Sequence, residues 1–343
     1  MKEPLNLLLE KLTAKPAFPG AALAVYRQSD GLSQVVTAGN LSDNHPFFIA
    51  SATKLYITAI LLQLAEQGQL ALDDLITKHL PATETARLHI FGGQDYSASL
   101  TIRHLMAHTS GLPDYFQQKN EGKSLLSRLQ SGEDVAWSYE DTLRWTKDMP
   151  SKFAPGTGRK ALYSDSNFQL LGRIIELIED TEIGEVLKNR IFEPLGLSKT
   201  YLYLRESDET PRILTYKNAP FHIRKAMTSF GADGGIVSTA PEMMIFLRAF
   251  FEGGLFDISV LPGLYDWRRV MFPLQYGTGI MLFETPWLFS PFKKQPDLIG
   301  HSGLSGAFMF YAPKSGIYLA GSVNQVNHPG ASFQLLLKAV TLL

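Results

Sequence analysis

Ser51 and Lys54 place a hydroxyl and an amine three residues apart in Ser51-Ala52-Thr53-Lys54, at the head of a long apolar run. If a helix starts there, residues i and i+3 share a face, and the Lys54 amine reaches the Ser51 oxygen. An alcohol is a weak nucleophile until a neighbouring group helps remove its proton, and an adjacent amine can do so. Alone, the spacing proves little, because an N-cap serine followed by a solvated lysine reads the same. Acyl transfer at Ser51 also requires a second proton-handling group and donors for an oxyanion.

Two later stretches offer those parts. Lys160-Ala161-Leu162-Tyr163-Ser164-Asp165-Ser166-Asn167 lies between the turn at Ala154-Pro155-Gly156 and a helical run over 168–179. A tyrosine there can present its phenol to a cleft, and a nearby lysine ammonium favours the phenolate, the form of a general base. Otherwise Tyr163 is a packed ring, and Asp165 is the N-cap of the following helix. Ile299-Gly300-His301-Ser302-Gly303-Leu304-Ser305-Gly306 precedes a strand-like run. Its small residues let backbone approach a ligand, and His301 and Ser302 are its polar contacts unless they are ordinary loop residues.

The surrounding elements must bring these three stretches together. Residues 21–26 and 34–38 read as a hairpin turning at Ser29-Asp30-Gly31. The Ser51 helix carries Leu55, Ile57, Ile60, Leu61, Leu64 and Ala65 and ends near Gly68. Helices are predicted over 102–108, 125–129, 139–147, 167–179 and 183–192, punctuated by prolines. Beyond about residue 213 come a helix over 241–251, strands over 277–283, 307–311 and 317–323, and a closing helix over 332–342. An α+β fold is expected: a sheet lobe formed by 1–68 and 213–343, a mostly helical lobe formed by 69–212, and the site in the cleft between them.

Several function classes are disfavoured. The chain has 343 residues, a formal net charge of −1 and no basic run, so it has no electrostatic reason to bind nucleic acid. It has no cysteine, which removes disulfides, thiol catalysis and Cys-ligated metals. No run approaches the ~18 apolar residues of a membrane span. The start, Met1 to Lys11, reads as a short amphipathic helix rather than a secretory leader, so a cytoplasmic location is expected, or a periplasmic one if a leader has been trimmed. His104 and His108 have the i, i+4 spacing of a zinc helix, but Leu105 stands where a metalloprotease needs glutamate. Gly300 to Leu304 misses the last glycine of a G-x-S-x-G elbow, and a strand-like run follows instead of a helix. No metal or cofactor is predicted. Trp137, Trp145, Trp267 and Trp287 are candidates to line an acyl pocket or fill the core.

The three stretches together resemble the serine β-lactamase and penicillin-binding protein family, in its class C branch with esterases and D-peptidases. The family's motifs S-x-x-K, Y-x-N and K-T-G are similar to Ser51-Ala52-Thr53-Lys54, Tyr163-Ser164-Asp165 and His301-Ser302-Gly303, in the same order. Residues 105–112, 153–156, 193–197 and 234–240 also resemble family stretches. The resemblance implies an antiparallel sheet flanked by helices and an acylated Ser51. Lys54 would keep the proton balance, and Tyr163 would be base for attack and acid toward the leaving group. It further implies an oxyanion hole from the amides of Ser51 and Leu304, and substrate contacts from Asp165, His301, Ser302 and Gly303. Two departures bear on substrate. Asp165 replaces Asn, adding a charge that could hold Lys54 protonated. His301 replaces Lys and weakens the grip on a substrate carboxylate, since histidine is largely neutral at pH 7. The reading is a serine hydrolase of small carboxylic esters. Its alternatives are a β-lactamase or D-Ala-type peptidase, a transacylase, or a non-catalytic scaffold of the same fold. Oligomeric state is not legible.

Overall fold

The computed structural model describes residues 2–119, 122–285 and 296–343. Its centre is an eight-stranded antiparallel sheet. The strands are β1 (Gly20–Arg27), β2 (Leu32–Gly39), β3 (Arg268–Met271), β4 (Leu274–Tyr276), β5 (Met281–Phe283), β6 (Leu298–Ser302), β7 (Ala307–Ala312) and β8 (Ile317–Ser322), in the order β3-β4-β5-β6-β7-β8-β1-β2. The N-terminal hairpin thus pairs with the C-terminal strand, Ala24 opposite Ala320.

Period-two alternation sorts the sheet's side chains between two cores. Ala21, Leu23, Val25, Phe308, Phe310, Ile317 and Leu319 face one side with Leu5 and Leu9 of α1 (Lys2–Thr13). Ala22, Ala24, Met309, Tyr318 and Ala320 face the other with α2 (Thr53–Glu66), α3 (Asp165–Glu179) and α4 (Ala240–Glu252). Helix α5 (Pro329–Leu342) lies with α1. The boundaries of α4 follow its sequence: Thr239 caps the Glu242 amide, Pro241 sits in the first turn, and Gly253 is left-handed at the far end.

The described residues between 69 and 212 contribute no strand to the large sheet. Helix α2 is apolar on nearly every side, and eleven of its fourteen residues are buried, as an element packed from all directions must be.

Three expectations need correction. The run 277–283 is not one strand: Gly277 to Ile280 forms a turn, with the Gly277 amide donating to the Ile280 carbonyl at 2.9 Å, and only 281–283 pair as β5. The helix expected over 102–108 stops at Met106, and His108 is left-handed at φ 55°. The helix expected over 183–192 is α-helical only to Leu187 and continues as a wider π-type turn.

Candidate active site

Ser51 sits where a short strand turns into α2. Phe47–Phe48 pairs antiparallel with Ile236–Ser238, and the Ile49 amide donates to the Ile236 carbonyl at 3.0 Å. The chain then passes through Ala50, left-handed at φ 47°, into a 3-10 turn over Ala50–Ala52. Such a conformation costs a non-glycine residue about 1 kcal/mol or more and persists only when its surroundings impose it. Here Ile236 imposes it from both sides, because its amide also donates to Thr53 Oγ1 at 3.2 Å. The end of β6 closes onto the same turn. A Cβ on Gly303 would lie 2.1 Å from the Ile49 carbonyl oxygen, so only glycine permits this approach.

Lys54 is fully buried, and its Nζ faces three oxygens. It donates to Ser51 Oγ at 3.1 Å and to the Asp233 backbone carbonyl at 2.5 Å. The third is Asp165 Oδ1, 2.7 Å away, an ion pair by distance although the carboxylate oxygen is not aligned as a hydrogen-bond acceptor. Asp165 is therefore the first residue of α3 with its side chain turned toward Lys54. It does not cap the helix; Ser164 holds the cap position, without a side-chain cap bond.

Tyr163 reaches the same point from the loop before α3. Lys54 Nζ lies 5.2 Å from the centre of its ring. The phenol oxygen is buried and makes no well-formed hydrogen bond, with the Ser51 hydroxyl as its nearest polar help. Burial pushes the Tyr163 phenol well above its ordinary range, and the negative charge of Asp165 adds to that; Ser51 offsets only part. The expectation that Lys54 would favour the phenolate is thus corrected. Desolvation and the Asp165 charge outweigh one ammonium, and resting Tyr163 is a phenol.

The loop is held from below by residues the sequence reading did not assign to the site. His108 Nδ1 accepts from the Ser164 amide at 3.2 Å and faces the Asn167 side-chain amide at 3.0 Å. Those two donors leave the proton on Nε2. The His108 ring packs on Tyr163 with centres 4.4 Å apart, and Ser110 Oγ donates to Asn167 Oδ1 at 2.7 Å. The 105–112 stretch was noticed, but its role in seating Tyr163 depends on pairings 50 to 60 residues apart. His104 Nδ1 is taken up by the Thr101 amide as part of the cap of its own helix.

Asp114 and Asp233 were also missed, and nothing local in the sequence marks them. With Asp165 they place three carboxyl groups around one lysine. Asp233 accepts a hydrogen bond from the Tyr115 hydroxyl at 2.7 Å, and Asp114 accepts from the Phe116 amide at 3.0 Å. Burial, then the charge of Asp165, pushes Asp233 well above the usual carboxylate range and Asp114 up to about 8. Both hold protons at neutral pH. The sign of the consequence is definite. The unfolded chain releases the Asp114 proton near pH 4, whereas the folded protein keeps it to about 8. Stability is therefore lost as pH rises across that window. Asp114→Asn, which keeps the acceptor oxygen, is expected to melt near wild type at pH 4.5 but several degrees higher at pH 8.5. Parallel melting curves across that range would show that Asp114 is not protonated in the fold.

The third motif divides. Leu304 is exposed at the cleft, and neither its amide nor that of Ser51 finds a backbone acceptor among the described residues. Ser302 Oγ lies 3.5 Å from Met281 Sδ. His301, expected to meet substrate, is fully buried instead. Its Nε2 bonds the Tyr276 hydroxyl at 2.9 Å and its Nδ1 the Ser302 carbonyl at 2.7 Å. Burial and the Lys54 charge depress it to about 3, so it is a neutral structural ring behind Tyr163.

An apolar cleft opens in front of Ser51, walled by Phe48, Phe116, Leu129, Met227, Phe230 and Leu304. Trp137 packs edge-on against Phe230 behind this wall, while Trp145 stacks on Tyr115 and Trp267 on Tyr265. Trp287 lies outside the described residues.

A model of the beta-lactamase family matches residues 5–341. The chain belongs to the beta-lactamase family. This family member is 24% identical to a Salmonella paratyphi A protein provisionally named D-alanyl-D-alanine carboxypeptidase, over 89% of this chain and 75% of that one. It superposes on a Streptomyces D-stereospecific amidohydrolase with a TM-score of 0.79 at 25% identity, covering 98% and 97% of the two chains. It also superposes on EstCE1, a hydrolase with promiscuous acyltransferase activity, with a TM-score of 0.78 at 18% identity, covering 99% and 97%. The beta-lactamase-family chain is thus a serine hydrolase on a large antiparallel sheet flanked by helices. No helix among its described residues is long and apolar enough to cross a membrane.

Proposed function

We propose that this protein hydrolyses small uncharged carboxylic esters through an acyl-enzyme on Ser51. The observation that carries the reading is the Ser51 hydroxyl 3.1 Å from a fully buried lysine amine, at the mouth of an apolar cleft. Ser51 Oγ attacks the substrate carbonyl carbon while Lys54 takes its proton. The amides of Ser51 and Leu304 meet the oxyanion; one such donor typically contributes about 3–4 kcal/mol to the transition state. Tyr163, a phenol at rest, supplies the proton to the departing alcohol. Water then reverses the sequence and frees the acid. This reading assigns Tyr163 the acid's role before the base's, in keeping with its raised proton affinity.

Charge supports an uncharged substrate. Among the described residues that line the cleft there is no Lys, Arg or His; the acidic side chains are Asp165 and Asp233. A carboxylate would enter without a cationic partner, and an unpaired buried charge is costly. Kinetics on p-nitrophenyl acetate and butyrate, a D-alanyl-D-alanine peptide, an amino-acid amide and nitrocefin test this. The neutral esters are expected to exceed the carboxylate-bearing substrates by at least about tenfold in kcat/KM, as the loss of one ionic contact implies. Faster turnover of the dipeptide or nitrocefin than of the esters would replace the esterase reading with a peptidase or lactamase one.

A further inference from the structure

The Lys54 ammonium donates to Ser51 Oγ and to the Asp233 carbonyl, and its third neighbour is its ion-pair partner, Asp165 Oδ1. In that state it cannot accept the proton of Ser51. It must first give one up, and only one of its three neighbours is built to receive it. Ser51 is the nucleophile, and the Asp233 oxygen is a backbone carbonyl. Asp165 is a carboxylate 2.7 Å away, and that oxygen is buried with no well-formed hydrogen bond to occupy it. The remaining groups around the pair do not compete. His108 and His301 are neutral, Tyr163 and Tyr276 are buried phenols above their ordinary range, the Tyr115 hydroxyl is spent on Asp233, and Asp114 and Asp233 already hold protons.

Resting on the acyl-enzyme reading, we propose that Asp165 stores the Lys54 proton during acylation, so that an ion pair becomes a neutral amine and a neutral acid just before attack. The balance is complete. Lys54 ammonium and Asp165 carboxylate become Lys54 amine and Asp165 acid. The Ser51 proton then passes to Lys54 as the Ser51 oxygen bonds the acyl carbon, and Tyr163 protonates the leaving alkoxide. In deacylation water gives its proton to the Tyr163 phenolate and its oxygen to the acyl carbon. Ser51 leaves with a proton from Lys54, and Asp165 returns the stored one. The surroundings favour this exchange. The pair is buried, which disfavours two charges relative to none. Asp165 acts through Lys54, so it is a positioning residue rather than a catalytic one.

The test is the pH profile of Asp165→Asn, measured from pH 5 to 10 as kcat and KM on p-nitrophenyl butyrate. An amide keeps the shape but cannot take a proton. Lys54 must then lose its proton to solvent, which high pH favours. At pH 6 kcat is expected to fall about 100-fold, within the range of general acid–base effects, and to recover most of that by pH 9.5 with KM little changed. A variant profile parallel to wild type at every pH would overturn the proposal and leave Asp165 a structural partner. Asp165→Glu supplies a second variant if the amide does not fold. It keeps a proton-accepting group and is expected to retain activity at pH 6; a profile that rises only in alkali would overturn the proposal. Fluorophosphonate labelling of wild type separates the two levels. Label on Ser51 with parallel pH profiles refutes proton storage alone, whereas an unlabelled Ser51 refutes the acyl-enzyme reading itself.

Discussion

Ser51→Ala is expected to lower kcat on p-nitrophenyl butyrate by about 10⁴- to 10⁶-fold, the scale seen when a serine nucleophile is removed from a unit of interdependent groups. The argument is local. Ser51 is partly exposed, and its hydroxyl holds one hydrogen bond, from Lys54. Ala50 keeps its left-handed turn because Ile236 and Gly303 impose it, not the serine. The alanine variant should therefore fold with a melting temperature within a few degrees of wild type, as for a change that neither opens a core cavity nor orphans a charge. Loss of turnover then reports chemistry, not unfolding. A variant that hydrolyses the ester at a tenth of the wild-type rate or faster would place the nucleophile elsewhere. Fluorophosphonate should shift the mass of wild type and not of the variant.

The nucleophile was legible because its pattern is local: apolar approach, hydroxyl, amine at i+3, and an apolar helix. Part of the sheet was legible for a similar reason, since β1, β7 and β8 alternate their side chains between two cores in plain sequence order; β3, β4 and β6 were not, and His301 and Ser302 lie at the end of β6 rather than in a loop ahead of a strand. The turn inside 277–283 was not legible. Residues 277–283 are mostly apolar, and the break comes from Thr278 and Gly279 being held by partners far away, the Leu264 carbonyl on the Thr278 amide and the Met106 carbonyl on the Gly279 amide, each at 2.9 Å. The electrostatics were the least legible part. Tyr163 was judged against Lys54 alone, but its proton affinity is raised first by burial, which exists only in the fold, and then by the charge of Asp165. His301 was judged by its residue type, whereas its burial against Tyr276 decides its charge and removes it from the cleft.

The charge balance around Lys54 leads to the second large effect. Lys54→Met fills nearly the same volume on a helix packed on all sides, so packing changes little. What changes is charge. Asp165 loses its cation while Asp114, Asp233 and the low-dielectric interior remain. Breaking one half of a buried pair in this way costs about 3–5 kcal/mol, and kcat should fall by about 10²- to 10⁴-fold with the loss of a proton-transfer group. The stability loss should depend on pH with a definite sign. In the variant the buried Asp165 carboxyl binds a proton more tightly than the unfolded chain does, so the fold is least compromised in acid and loses stability as pH rises beyond about 4. The melting temperature should therefore lie close to wild type at pH 4.5 and well below it at pH 8. Adding Asp165→Asn to Lys54→Met removes the orphaned carboxylate and should restore much of the melting temperature at pH 8 without restoring turnover. That non-additivity is expected of two groups in direct contact. A double variant as unstable as Lys54→Met alone would mean that the lysine contributes by packing, and that the ion pair with Asp165 does not set the stability of the site.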